Sequence, residues 1–246
     1  ILFLIRWGKF YTVSFVFYIS LLFYPDSYLL RSTIASSILL LGIWALFDNK
    51  PWYRFFIPIF IAIGFHTSAV VAIPLWFMRN VKISKWGGFL YLFIILILGF
   101  VGIGHSVAQA IFSIFSADIY AVSKLLTYSE SEYGQSMSLV KGSLLIYLPL
   151  TCAFIGYQEK IRKSMKHYDV TLAIILYSLF ILLAFSDFLV LSERLFRLFS
   201  FILSIAVGYI FYVLREKEKT MLTASVIIAL NFLPYITDVG SYRLID

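Results

Sequence analysis

The chain has 246 residues, 61% of them apolar and 13% charged, with 25 Phe and 17 Tyr, where ordinary globular domains run roughly 45–50% apolar and about 25% charged. With a mean hydropathy of +0.92, too little polar surface exists to cover a sphere in water, which excludes a soluble enzyme, a disordered tail and a nucleic-acid-binding domain. The net charge of +7 comes from 20 Lys plus Arg against 13 Asp plus Glu, and its cations cluster between apolar runs, as juxtamembrane anchors do.

A transmembrane helix needs about 20 mostly apolar residues, and eight runs are candidates. In chain order they are Phe10 to Tyr24, Arg31 to Phe47, Trp52 to Met78, Trp86 to Gly104, Leu139 to Tyr157, Asp169 to Leu191, Leu195 to Leu214 and Met221 to Ile236. The first is short enough to tilt or re-enter, and Ile1 to Ile5 reads as the tail of an earlier helix. The runs are continuously apolar rather than alternating, so helices are expected and barrel strands are not. The expected fold is therefore all-α: one polytopic transmembrane domain over residues 1–246 in contact with the lipid bilayer, with no signal peptide. Pro58, Gly64 and Pro74 fall inside the third run and predict a kink that frees carbonyls near His66.

Orientation follows from where Lys and Arg collect in the loops. Arg79, Lys82 and Lys85, then Lys160, Arg162, Lys163 and Lys166, then Arg215, Lys217 and Lys219 form one alternate set, assigned to the cytoplasm. The opposite set faces outward: Asp48 to Trp52, a longer loop over residues 105–138, and the turn around Ser192 to Arg194. The long loop contains an amphipathic part, Val107 to Leu126, suited to lying along the outer interface, and a polar tip, Thr127 to Ser138. By this count Arg31 lies on the cytoplasmic side; if the first run only re-enters, that side changes.

Few polar residues interrupt the apolar runs, and those few carry the chemistry. His66 lies deep in the third run, where an imidazole is costly unless it faces a bundle interior or a wet cavity. It can accept a proton near neutral pH; the alternative is an interhelical hydrogen bond worth about 0.6 kcal/mol. Arg194 and Arg197, three residues apart, share a helical face and can grip a pyrophosphate with two guanidinium forks. The alternative there is an i,i+4 pair of Glu193 with Arg197 plus snorkelling. Arg31 alone reads as a snorkelling anchor. Asp118, Glu130 and Glu132 are either bases or a solvated loop tip, and Asp187 is a further candidate near the outer end of its run. The single cysteine, Cys152, excludes an internal disulfide and a multi-thiolate metal site. No phosphate-binding loop, zinc-protease helix or EF-hand pattern occurs, so neither a metal nor a cofactor is expected.

Two stretches, Leu30-Arg31-Ser32-Thr33-Ile34-Ala35 and Ala62-Ile63-Gly64-Phe65-His66-Thr67-Ser68-Ala69-Val70, together resemble the EpsG-like family of exopolysaccharide and capsule polymerases, relatives in function of the Wzy-type O-antigen polymerases. Members commonly show an Arg-Gln-x-hydrophobic-Ala helix start and, about 30 residues later, a Phe-His-x-Ser-Ala stretch. Arg31, Ile34, Ala35, Phe65, His66, Ser68 and Ala69 fit; Ser32 stands where Gln is usual. The motif covers residues 28 to 78 and the rest of the chain is similar in topology. Family chains are longer at the N-terminus, so further helices are expected before Ile1.

The resemblance implies glycosyl transfer at the outer face of the bacterial cytoplasmic membrane, from a polyprenyl-pyrophosphate-linked oligosaccharide to another lipid-linked repeat unit, without a nucleotide or a metal. His66, Arg194 and Arg197 are the expected catalytic residues, and Arg31, Ser68, Glu193, Glu130 and Glu132 the expected substrate contacts. Other polysaccharide assembly proteins are expected partners. Two rival classes remain: a membrane O-acyltransferase, which also uses an intramembrane His, and a lipid-linked-oligosaccharide flippase or other transporter, for which buried charges line a continuous path.

Overall fold

A computed structural model of the chain describes residues 2–19, 30–102 and 143–219, and the account below concerns these residues. All regular elements among them are helical: α1 (Leu2–Trp7), α2 (Tyr11–Tyr18), α3 (Leu30–Phe47), α4 (Trp52–Phe65), a 3-10 helix (Thr67–Ala72), α5 (Leu75–Met78), α6 (Lys85–Val101), α7 (Ser143–Gly156), α8 (Gln158–Ser164), α9 (Tyr168–Ala184) and α10 (Leu189–Val213). Two of them, Leu30–Phe47 and Leu191–Val213, are long and apolar enough to cross a membrane, and five shorter apolar segments pack with them. The expected long loop, with Glu130 and Glu132, and the run from Met221 to Ile236 lie outside the described residues.

The outer surface of the bundle is as greasy as its core. Phe60, Phe77, Trp86, Phe93, Phe100 and Val101 are each at least 62% exposed, an arrangement suited to hydrocarbon rather than water. Inside, association depends on close packing, because lipid tails are as apolar as the helices themselves. Glycines mark several of the crossings. A Cβ at Gly42 would sit 3.2 Å from the Phe55 carbonyl oxygen of α4, one at Gly88 3.2 Å from Ile155 of α7, and one at Gly99 3.0 Å from Leu183 of α9. At Gly102, φ is +71°, so the residue ends α6 in the left-handed conformation that glycine adopts most cheaply.

The turns sort to two ends of the bundle. At the basic end, Gln158 and Arg162 of α8 both donate to the Ile83 carbonyl, and Asp169 accepts from Arg162 and from the Ile83 amide. This latch binds the loop before α6 to the turn before α9. α6 and α9 then run parallel to the far end, where the Ser186 hydroxyl donates to the Gly99 carbonyl at 3.4 Å. α7 and α10 return: Tyr147 pairs with Phe196 and Phe154 stacks on Tyr168, with centroids 4.7 and 4.8 Å apart. The last turns of α10 come back to the basic end, with Tyr209 beside His167.

Two expectations require correction. The turn between the sixth and seventh runs falls at Phe185–Phe188, where Ser186 and Asp187 break the apolar run, and not at Ser192 to Arg194. Ser192 is fully buried inside α10, so Glu193, Arg194 and Arg197 belong to the early turns of a 25-residue helix. The larger correction concerns Trp52 to Met78. It is a hairpin with both ends at the basic end, as Phe47 shows by stacking on His167 at 4.3 Å, with Asp48 and Lys50 following in the turn after it. α4 climbs for about 20 Å at 1.5 Å per residue, the chain reverses at His66, and the 3-10 helix with α5 descends until Trp76 lies against Phe55 and Phe56. The segment Asp48 to Trp52 therefore shares an end with the Arg79–Lys85 and Lys160–Lys166 loops instead of facing away from them.

Candidate functional site

The hairpin turns where its sequence disfavours an α-helix. Gly64 lowers helix propensity, Thr67, Val70, Val71 and Ile73 are β-branched, and Pro74 supplies no amide. His66 takes an extended conformation, φ −151° and ψ 109°, capping α4 through its own amide to the Ala62 carbonyl at 2.8 Å and starting the 3-10 helix through its carbonyl, which accepts from Ala69 at 2.9 Å. Ala35 of α3 and Ala62, Ala69 and Ala72 of the two limbs are all buried, and such small side chains let the limbs approach α3 closely. Tyr177 of α9 secures the descending limb: its hydroxyl donates to the Val71 carbonyl at 2.8 Å, and its ring meets Phe199 of α10 at 5.8 Å.

Register then fixes what stands level with His66. On α3, Gly42 lies against Phe55 and Ile59; because α3 and α4 are antiparallel, nine residues further along each brings Thr33 opposite His66, with Arg31 about 3 Å beyond at the same end. On α10, Phe199 is level with Tyr177 and hence with Val71. His66 lies five residues of 3-10 helix, about 10 Å, beyond Val71; Glu193 lies six residues of α-helix, about 9 Å, beyond Phe199. The 3-10 helix touches both α3 and α10. By register, Arg31, His66, Glu193 and Arg194 stand at about one height near the far end of the bundle, with Ser68 and Arg197 somewhat nearer its middle. Arg31 thus stands at the end opposite the Arg79–Lys85 and Lys160–Lys166 loops, not at the same end as the loop count had it, because a hairpin in place of one crossing reverses every earlier segment.

The local chemistry is mixed. The His66 imidazole Nε2 is shut off from solvent, while a Cβ at Gly64 would meet nothing within 4 Å, so open space adjoins the apex among the described residues. Ser68 and Arg194 are half-buried and Arg31 is exposed. Arg197 lies 3.6 Å from Glu193, one helical turn away, so the i,i+4 pair weighed from the sequence is present. Asp187 also sits at this end, its carboxylate 3.0 Å from where a Gly102 Cβ would be. Tyr177, Ala62 and Ala72 were not singled out from the sequence, whereas Ala35 and Ala69 were named there as positions of the family pattern; a tyrosine in an apolar run, nine residues into α9, was the available signal. No cluster of His, Cys, Asp or Glu able to hold a metal occurs among the described residues.

Among the described residues, apolar helices with greasy outer faces, tightly crossed at glycines, point to an all-helical membrane protein. The chain matches the EpsG family over residues 1–243 and belongs to that family, a group associated with membrane-bound polysaccharide biosynthesis. No curated protein and no solved structure matches it.

Proposed function

We propose that the chain is a multi-pass polymerase of the bacterial cytoplasmic membrane, which transfers a glycan from polyprenyl pyrophosphate to a second lipid-linked repeat unit at the outer face. The acceptor hydroxyl oxygen bonds to the anomeric carbon of the donor as the bond from that carbon to the pyrophosphate oxygen breaks. His66 takes the hydroxyl proton. Arg194 and Arg31 neutralise the departing pyrophosphate, with Arg197 braced by Glu193 beside them, and Ser68 orients the acceptor. The carrier remains in the bilayer as the free polyprenyl pyrophosphate.

The observation that supports this reading is the hairpin, whose apex at His66 stands at about the level of Arg31 and Arg194 on two other helices, with Arg197 a turn nearer the middle. If the basic end faces the cytoplasm, as the loop cations require, those groups face outward, where lipid-linked repeat units are polymerised. The test is purified full-length protein given a lipid-linked repeat unit. Polymer ladders from the wild type, reduced about 10²–10⁴-fold in rate by His66→Ala and strongly reduced by Arg194→Ala, support the assignment. Full activity in His66→Ala removes the imidazole from the mechanism, and consumption of acyl-CoA in place of ladder formation favours an acyltransferase.

A further inference from the structure

At the basic end, away from His66, a cavity of about 550 Å³ opens between the end of α1, the last turns of α3 and the first turns of α4. Its rim carries Arg6, Lys50 and Arg54, and its wall is formed by Leu41, Ile57 and Pro58. One acid, Asp48, shares the cavity, and it is already engaged: it accepts the Trp44 indole N–H at 2.9 Å and lies 3.6 Å from Arg6. Lys50 and Arg54 have no carboxylate partner among the described residues. Three cations against one carboxylate leave an excess of positive charge over a preformed slot, which calls for an anion with several acceptor oxygens.

The wall limits which anion. Leu41 and Ile57 are 53% and 54% exposed, and both lie on the side of the rim that faces the middle of the bundle: Leu41 is seven residues, about 10 Å, before Asp48, and Ile57 three residues, about 4.5 Å, past Arg54. The slot is charged at one end and apolar below it. Trp52 and Tyr53, exposed at the same level, are the side chains that settle at a membrane–water boundary. A small soluble phosphate would use the rim and leave the apolar wall wet, whereas an amphiphile satisfies both parts.

We propose that this slot binds a phosphate group borne by a membrane lipid, with Lys50 and Arg54 holding the phosphate oxygens and Leu41 and Ile57 receiving the acyl chain. The bound lipid joins α1, α3 and α4 at the base of the hairpin. This site is independent of the glycosyl-transfer reading and stands whether or not His66 is catalytic.

The test is native mass spectrometry of the full chain, delipidated in detergent and titrated with phosphatidylglycerol, with phosphatidylcholine, or with inorganic phosphate. Wild type retains phosphatidylglycerol in preference to phosphatidylcholine, and inorganic phosphate fails to displace it at equal concentration. The Lys50→Gln/Arg54→Gln double variant binds phosphatidylglycerol about tenfold or more weakly, since charge-assisted hydrogen bonds are lost, and Leu41→Ser weakens it through the wall. A Lys82→Gln/Lys163→Gln control, which removes two cations from the same end outside the cavity, retains wild-type binding. Undiminished binding in the Lys50→Gln/Arg54→Gln variant overturns the site. Displacement by inorganic phosphate at equal concentration overturns the lipid as its source.

Discussion

Acid should loosen this protein through one residue. His167, in the turn before α9, is buried against Phe47 and Tyr209, and burial pushes its pKa from 6.5 down to about 4, against the opposing pull of the Asp48 carboxylate. In the unfolded chain the imidazole protonates near pH 6.5, so between that pH and about 4 the unfolded state binds more protons than the folded one, and stability falls as the pH falls. The full effect is present above pH 6.5 and its loss is complete once the folded state also protonates. A displacement of roughly 2.5 units at 1.36 kcal/mol each corresponds to about 3 kcal/mol, on the order of 10 °C in melting temperature for a chain of this size. The assay is thermal unfolding of the detergent-solubilised protein at pH 7.5, 6, 5 and 4, beside a His167→Phe variant that keeps a ring on Phe47. The wild type should lose about 3 kcal/mol more than the variant across this range, and Asp48→Asn should enlarge the loss, because it removes the charge that favours imidazolium. Identical pH profiles for wild type and His167→Phe would refute the reasoning.

The remaining predictions follow from single contacts. Tyr177→Phe removes the hydrogen bond to the Val71 carbonyl, and should cost about 1 kcal/mol of stability together with a loss of the proposed polymerising activity larger than that stability change explains; an unchanged rate shows that the descending limb needs no such brace. Gly99→Leu forces side-chain atoms into Leu183, which already lies 3.0 Å from the missing Cβ, and should destabilise by about 1–3 kcal/mol, whereas the same substitution at Gly64, where nothing lies within 4 Å, should leave folding nearly intact while interfering with substrate if the apex is the site.

Much of the architecture can be read from hydropathy. α3, α6 and α7 fall within a few residues of the runs that announce them, because a long apolar stretch has few alternatives to a helix. The hairpin could not be read in the same way. Hydropathy reports how many apolar residues lie in a row and says nothing of direction, and Trp52 to Met78 is long enough to cross a membrane once with some tilt. Pro58, Gly64 and Pro74 marked a break without telling a kink from a reversal. That distinction depends on partners distant in sequence, such as Phe47 on His167, Trp76 on Phe55 and Tyr177 on Val71, which local composition does not encode. The loop count inherited this at Arg31, which it put at the same end as the Arg79–Lys85 loop, since each segment's end depends on the number of crossings between it and the next. By contrast, the Glu193–Arg197 pair was legible, being a matter of helical spacing alone.

Sided cysteine labelling tests the hairpin most directly, because the reversal at His66 decides which groups meet at the outer face. Lys50→Cys, Lys82→Cys and Arg31→Cys would be exposed in turn to a membrane-impermeant maleimide in intact cells and again after permeabilisation, with wild type reporting the background from Cys152. The account predicts that Arg31→Cys reacts in intact cells, while Lys50→Cys and Lys82→Cys both react only once the membrane is breached. Reaction of Lys50→Cys in intact cells, with Lys82→Cys still protected, would mean that the chain crosses between them and that His66 does not stand at the level of the arginines.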